Sequence, residues 1–353
     1  MRHHSEWQFY SLSRYRNVLM GLQILLIIIF HFAEDCRLYD VRYDGLVKFY
    51  DIFIHSSGVD LFLLLSGMGL YFSMKKGPDL KSFYKKRFQR LLIPYVIVAA
   101  PAWLWLDVIV QGQGPLAFFK DFFFISFFFE EKRWFWYIFM MALCYLIFPY
   151  IFSTAERAGD RISRHMRLAL LCMMSTLALV MLELYHHDLY INISIALSRL
   201  PAFFAGVFVG KAVWEKHKVP LWKIFLLLIL VVLAAGPLGL ADKSIIGVYI
   251  AALLNFSLCL VFVWVLDILS EKRGFPLLAW RGINSILGWF GKYTLELYLV
   301  HVAVRRVMKT LGFYTYRLSC EGIMVIISVA LAVLLSKLTG AIVGRQKKRL
   351  KNK

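Results

Sequence analysis

The sequence predicts an all-α, polytopic membrane helical bundle of about ten transmembrane helices with both termini cytoplasmic. Three observations carry that expectation. Of 353 residues, 60% are hydrophobic and 16% aromatic, with a mean hydropathy of +0.65, far above the roughly 45–50% apolar share of soluble domains. The charged 18% falls in short clusters between apolar runs, each near the ~20 residues that cross ~30 Å of hydrocarbon. Lys and Arg also segregate onto alternate connecting segments, as the positive-inside rule requires.

In chain order the apolar runs place spans at 18–33, 54–73, 91–110, 134–153, 168–185, 191–210, 221–240, 245–269, 286–304 and 322–338. Arg14 and Arg16 precede the first. The same side receives Lys75 to Arg90, then Arg157 to Arg167, then Lys211, Lys216, Lys218 and Lys223, then Lys272, Arg273 and Arg281. Opposite segments are poorer in basic residues, which sets that side as extracytoplasmic. The division that follows is a ten-span membrane domain over 1–345 and a basic cytoplasmic tail over 346–353. The first run resembles a signal peptide only in its basic flank. It lacks a small-x-small cleavage site and contains His31, so it reads as a retained span. The aromatic stretch 118–129, with FFFISFFF, is too short to cross and reads as an interfacial or re-entrant piece.

The balance of 41 Lys plus Arg against 22 Asp plus Glu, a formal +19, would suggest nucleic acid in a soluble chain. Here basic residues at the ends of apolar runs face anionic lipid, so membrane lipid and no nucleic acid is the expected partner. Cys144, Cys172 and Cys259 lie inside spans as small apolar packing residues. Cys36 and Cys320 fall on the outer side, where either a disulfide or two separate thiols suits the spacing. His186, His187 and Asp188 offer too few ligands for a metal site, and no metal is expected. No GxSxG, HExxH or P-loop pattern is present.

An ionisable group at membrane depth costs at least ~2.5 kcal/mol on insertion scales, so each one needs a reason. The set is short: His31, Asp60, Arg199, Lys292, Glu296 and His301, with Glu183 at an edge. His31, near the outer end of the first span, suits a general base on a hydroxyl; a structural pairing with a neighbouring helix is the alternative. Asp60, near the outer end of the second span, can be carried beside His31 by the intervening loop and orient its imidazole, or it can cap a helix. Ser66 and Gly67 favour close helix packing.

Arg87 and Arg90 stand at i and i+3 in FYKKRFQRLLIPY, a spacing that forms a guanidinium fork for phosphate and equally serves as a positive-inside anchor. Arg199 lies beside Pro201, which suggests a broken helix start lining a cavity; snorkelling to the interface is the alternative. In GKYTLELYLVH, Lys292 and Glu296 at i and i+4 can neutralise one another.

Taken together, these segments resemble the membrane acyltransferase-3 family, typified by O-acetyltransferases of surface polysaccharides. The resemblance rests on the first-span segment ending in His31, on GVDLFLLLSG at 58–67 and FYKKRFQRLLIPY at 83–95, and on WYI at 136–138 with Tyr145 and Pro149. RLPAFFAGVFVG at 199–210 and GKYTLELYLVH at 291–301 complete it. It implies transfer of an acyl group, commonly acetyl, from cytoplasmic acyl-CoA to a hydroxyl of a surface glycan or lipid-linked sugar in a bacterial cytoplasmic membrane. His31 matches the family's first-span histidine, and Arg87 with Arg90 matches its RxxR pair. Arg199, Glu296, Tyr298 and His301 match further patterns and join Trp136 and Tyr137 as pocket candidates. The family's usual basic residue eleven positions before the histidine is Met20 here, with Arg16 one turn earlier on roughly the same face.

Acyl-CoA is thus expected as donor substrate, with no bound cofactor. With no SGNH-type domain after the last span, any second transfer outside the cytoplasm would call on a separate partner. A transporter or exporter of an acylated sugar or small acid is the competing expectation, since intramembrane charges suit that function too. The lack of an internal repeat speaks against it. A nonenzymatic sensor, in which His31 is dispensable, is a third.

Overall fold

The computed structural model describes residues 6–38, 59–238, 244–313 and 317–351. Two short strands and a run of helices follow the hydropathy pattern. Strand β1 (Glu6–Gln8) leads into α1 (Tyr10–Arg14) and α2 (Arg16–Leu38). Next come α3 (Asp60–Met74) and α4 (Leu80–Trp103), which continues as a π-helical turn over Leu104–Val110. Helices α5 (Pro115–Phe122), α6 (Ile125–Phe129), α7 (Trp136–Glu156), α8 (Arg161–Tyr185), α9 (His187–Leu197) and α10 (Leu200–Trp214) follow. After β2 (Lys218–Pro220) the chain runs through α11 (Leu221–Leu238), α12 (Ile245–Glu271), α13 (Phe275–Lys292), α14 (Thr294–Thr310) and α15 (Leu318–Lys351).

Among the described residues, seven segments are helical, long and apolar enough to cross a membrane, and Asp60–Met74 and Leu221–Ala235 are shorter apolar helices. The protein is a polytopic helical membrane bundle. The helices show detail inside the expected spans. The run 191–210 is two helices, because Ser198 and Arg199 form a turn and Pro201 sits at the start of α10, where its missing N–H costs nothing. The run 286–304 breaks at Tyr293, so Lys292 and Glu296 do not share one continuous helix and the i, i+4 pairing fails. Lys211, read as a loop charge, lies inside α10 and is 6% exposed. The last helix extends through Lys351 and takes in most of the basic tail. The stretch 118–129 forms the end of α5 and all of α6, joined through Phe124 at φ 63°.

The chain forms two compact units. The first comprises residues 1–76, 148–176 and 198–292. In it α3 packs along α10, and α2 along α13. Both contacts run through glycine: a Cβ on Gly206 would overlap the Leu64 carbonyl, and one on Gly291 would overlap that of Asn17. Small residues are what allow helix backbones to approach so closely in a membrane. Lys211 Nζ donates to the carbonyls of Ala155, Glu156 and Ala158 at 2.8, 3.1 and 2.9 Å, closing the C-terminal end of α7, whose last carbonyls have no partner within the helix. Strand β1 pairs antiparallel with β2, Trp7 opposite Val219, and Trp7 Nε1 donates to Asp267 at 3.1 Å.

The second unit comprises residues 77–147, 177–197 and 293–353. Here α14 packs on α15 and on α4. Rings do most of the packing. Tyr95 stacks on Phe122 and Phe124 at 5.4 and 5.2 Å and donates its hydroxyl to the Phe122 carbonyl at 2.7 Å. Trp103 stacks on Trp134 at 4.6 Å, and Arg306 lies over Trp134 at 4.8 Å.

Candidate active site

The first unit carries His31, Asp60, Arg199 and Arg16. His31 is about two-thirds of the way along α2, half-buried, with Nδ1 3.3 Å from Glu34 Oε2. Residues at i and i+3 face each other on a helix, so the helix itself brings the carboxylate to the ring. A carboxylate on Nδ1 favours the tautomer that leaves Nε2 as the proton acceptor. Sequence reading missed Glu34, although the HFAE spacing held the signal.

Asp60 meets a different partner from the one expected. It opens α3 in a buried position, and its Oδ2 lies 3.7 Å from Arg199 Nε, the two side chains being 7% and 17% exposed. The loop expected to carry it to His31 lies outside the described residues. Arg199 occupies the turn between α9 and α10 that Pro201 enforces. A charged pair this shielded from water persists because each ion offsets the other's desolvation.

Arg16 starts α2 and donates Nε to the Leu65 carbonyl at 3.2 Å, its guanidinium lying over Gly69. At 1.5 Å per residue it stands roughly 22 Å along the helix axis from His31. It fastens α2 to α3.

The second unit carries the remaining candidates. Arg87 is half-buried and lies over the Phe83 ring at 5.7 Å. Its buried Nε has no hydrogen-bond partner among the described residues. Arg90, one turn on, is exposed. The two guanidinium groups repel each other, Tyr145 borders Arg87, and Arg90 attracts Glu296. This is a cationic face with a buried donor that has no hydrogen-bond partner among the described residues and with the Glu296 carboxylate near it.

Tyr298, 7% exposed, accepts from the Tyr137 backbone N–H at 3.4 Å, with the two rings 5.2 Å apart. His301 is fully buried, and its Nδ1 donates to the Leu297 carbonyl at 2.9 Å. Trp136 packs edge-on to Tyr137 at 6.4 Å. Helix α14 thus aligns Glu296, Tyr298 and His301 on one short stretch beginning at the Tyr293 break. Among the described residues no group of three or more His, Cys, Asp or Glu could hold a metal ion.

No curated protein and no solved structure matches the chain. The acyltransferase domain family does match, over residues 15–342, a stretch that begins at the turn before α2 and ends within α15. It therefore takes in both units and every candidate residue above. This multi-pass integral membrane protein belongs to the acyltransferase-3 family and is an acyltransferase.

Proposed function

We propose that the protein transfers an acetyl group from cytoplasmic acetyl-CoA to a hydroxyl of a cell-surface glycan or lipid-linked sugar, at a bacterial cytoplasmic membrane. The observation that carries this reading is His31, an imidazole on the first-span helix of an acyltransferase domain with a carboxylate held against its Nδ1.

In this reading Nε2 of His31 takes the proton of the acceptor hydroxyl as the oxygen attacks the thioester carbonyl carbon. The tetrahedral intermediate collapses, the carbon–sulfur bond breaks, and the departing CoA thiolate takes the proton from the imidazolium. The Glu34 carboxylate stabilises that imidazolium and fixes its tautomer, the role a triad carboxylate plays. Asp60 and Arg199 supply a fixed charged pair in the same unit. Arg87 and Arg90 hold the phosphates of CoA, since a half-buried guanidinium with an orphan donor gains a charge-assisted hydrogen bond from an anion. Trp136, Tyr137, Glu296, Tyr298 and His301 support that cationic face.

The test is acetyl-CoA binding and turnover by the full chain in nanodiscs. His31→Ala keeps acetyl-CoA binding and lowers turnover by about 10²–10⁴-fold, the range of a lost general base. Glu34→Gln lowers turnover with binding unchanged, while Arg87→Ala weakens binding. Full turnover in His31→Ala, or no acyl-CoA binding by the wild type, would overturn the assignment.

A further inference from the structure

A cavity of about 730 Å³ lies inside the first unit, in the range of small-molecule sites. It is bordered by α8 on one side and by α3, α10 and α12 on the other. Helix α8 is unlike the other long apolar helices. Only 6% of its apolar stretch is buried, against 33–56% for the other six among the described residues. Polar clasps hold it to the unit. Arg164 donates to Glu215 at 2.7 Å and meets His217 Nδ1 at 3.0 Å, and Thr176 Oγ1 meets the Tyr249 hydroxyl at 2.8 Å. The cavity is the gap that these clasps leave open.

Its chemistry changes along its length, with Asp60 and Ser198 lining one end and basic side chains the other. The middle is walled by side chains such as Leu64, Ala205, Val209 and Phe256, which offer nothing to an amide or a sugar. The end on the positive-inside side is ringed by Arg161, His165, Lys218 and Lys223. Arg164 is committed to Glu215, but Arg161, His165 and Lys223 form no ion pair among the described residues. All three are exposed at the mouth. An apolar gap in a bilayer fills with hydrocarbon, and the guanidinium of Arg161 and the ammonium of Lys223 beside it select an anionic head.

We infer that this cavity binds an anionic glycerophospholipid of the cytoplasmic leaflet, one acyl chain between α8 and α10 and its phosphate against Arg161, His165, Lys218 and Lys223. The lipid occupies the space that α8 does not fill. The cavity shares Asp60 with the proposed acyl-transfer site, but it is argued from its own lining, and the acyl-transfer reading stands if the lipid site fails.

The experiment is native mass spectrometry of the full chain in a mild detergent, offered equimolar phosphatidylglycerol and phosphatidylcholine. The wild type retains one phosphatidylglycerol in preference to phosphatidylcholine. The double variant Arg161→Glu/Lys223→Glu loses that preference by about tenfold or more. Ala205→Phe, which fills the cavity and leaves the cations in place, loses retention of both lipids. Circular dichroism and gel filtration on each variant separate loss of the site from loss of the fold, and Ala252→Leu is a second filling variant if Ala205→Phe does not fold.

Equal retention of the two lipids by the wild type would overturn the proposal, as would retention untouched by a folded filling variant. So would displacement of the lipid by long-chain acyl-CoA at concentrations that saturate the enzyme, which would give the cavity to the donor.

Discussion

The two units solve helix packing in opposite ways. In the first, α3 and α10 meet backbone to backbone, with Gly206 against the Leu64 carbonyl and Gly67 against that of Phe203. In the second, rings such as Phe127, Phe128 and Phe139 fill the space between elements, with Phe127 and Phe128 lying 5.5 and 5.1 Å from Phe139. Backbone contact fixes helix separation to a fraction of an ångström, because a carbonyl cannot rotate aside as a ring can. His31 and Asp60 sit on glycine-locked helices, and Arg199 sits at the start of one. Arg87, Arg90 and Glu296 sit where a large, variable phosphate ligand is expected and where packing is more forgiving.

The contrast can be broken first at its strongest point. Gly206→Val puts a branched side chain where no atom fits, and no folded protein is expected by gel filtration in detergent. Phe127→Leu in the other unit, at a side chain 1% exposed, costs only about 1–3 kcal/mol in unfolding free energy. A fully folded Gly206→Val would show that the backbone contact is not what sets the helix spacing.

Asp60 and Arg199 give the next largest effect. Asp60→Asn or Arg199→Gln alone leaves a shielded charge without its partner and costs about 3–5 kcal/mol, whereas the double variant costs less than the sum. Additive losses in a double-mutant cycle of unfolding would mean the pair is not coupled. Lys211→Met strands the carbonyls of Ala155, Glu156 and Ala158, at about 1–3 kcal/mol; an unchanged melting temperature would contradict the capping role.

The smallest effect concerns His217, which follows α10 and precedes β2. Partial burial, then the positive charge of Arg164, hold its pKa below the ordinary value, with Glu215 opposing. A depressed folded pKa means the unfolded chain binds the extra proton more readily, so stability falls as pH drops below about 6.5. His217→Gln removes that slope, measurable as a melting temperature that no longer declines between neutral and mildly acidic pH.

Much of this architecture is legible in the sequence, because a bilayer demands ~20 apolar residues per crossing and few other patterns supply them. The turn at Arg199 is legible too, through Pro201. The break at Tyr293 is not: GKYTLELYLVH has no proline, and the apolar run continues through it. Lys211 was hidden for another reason. A lysine near the end of an apolar run looks like an anchor, and only the arrival of the α7 carbonyls around its ammonium reveals a cap. At the site, residue types were readable and partners were not. His31 stood out as an isolated imidazole, yet a carboxylate against it is the local Glu34, while Asp60 pairs with an arginine far along the chain. Local spacing could have found the first; the second depends on how α3 and α10 lock together.

The small β1–β2 ribbon also bears on how the protein is made. Glu6 pairs with Pro220 and Gln8 with Lys218, so the segment ahead of the first span has its partner more than half the chain later. At roughly 5–20 residues per second, the ribosome takes on the order of ten seconds or more to deliver it. Helices from α2 through α10 are therefore synthesised before the ribbon can close. Trp7, buried at 4% exposure in the finished protein, waits in the open until then, and closing the ribbon marks the arrival of the α10–α11 turn rather than the start of assembly.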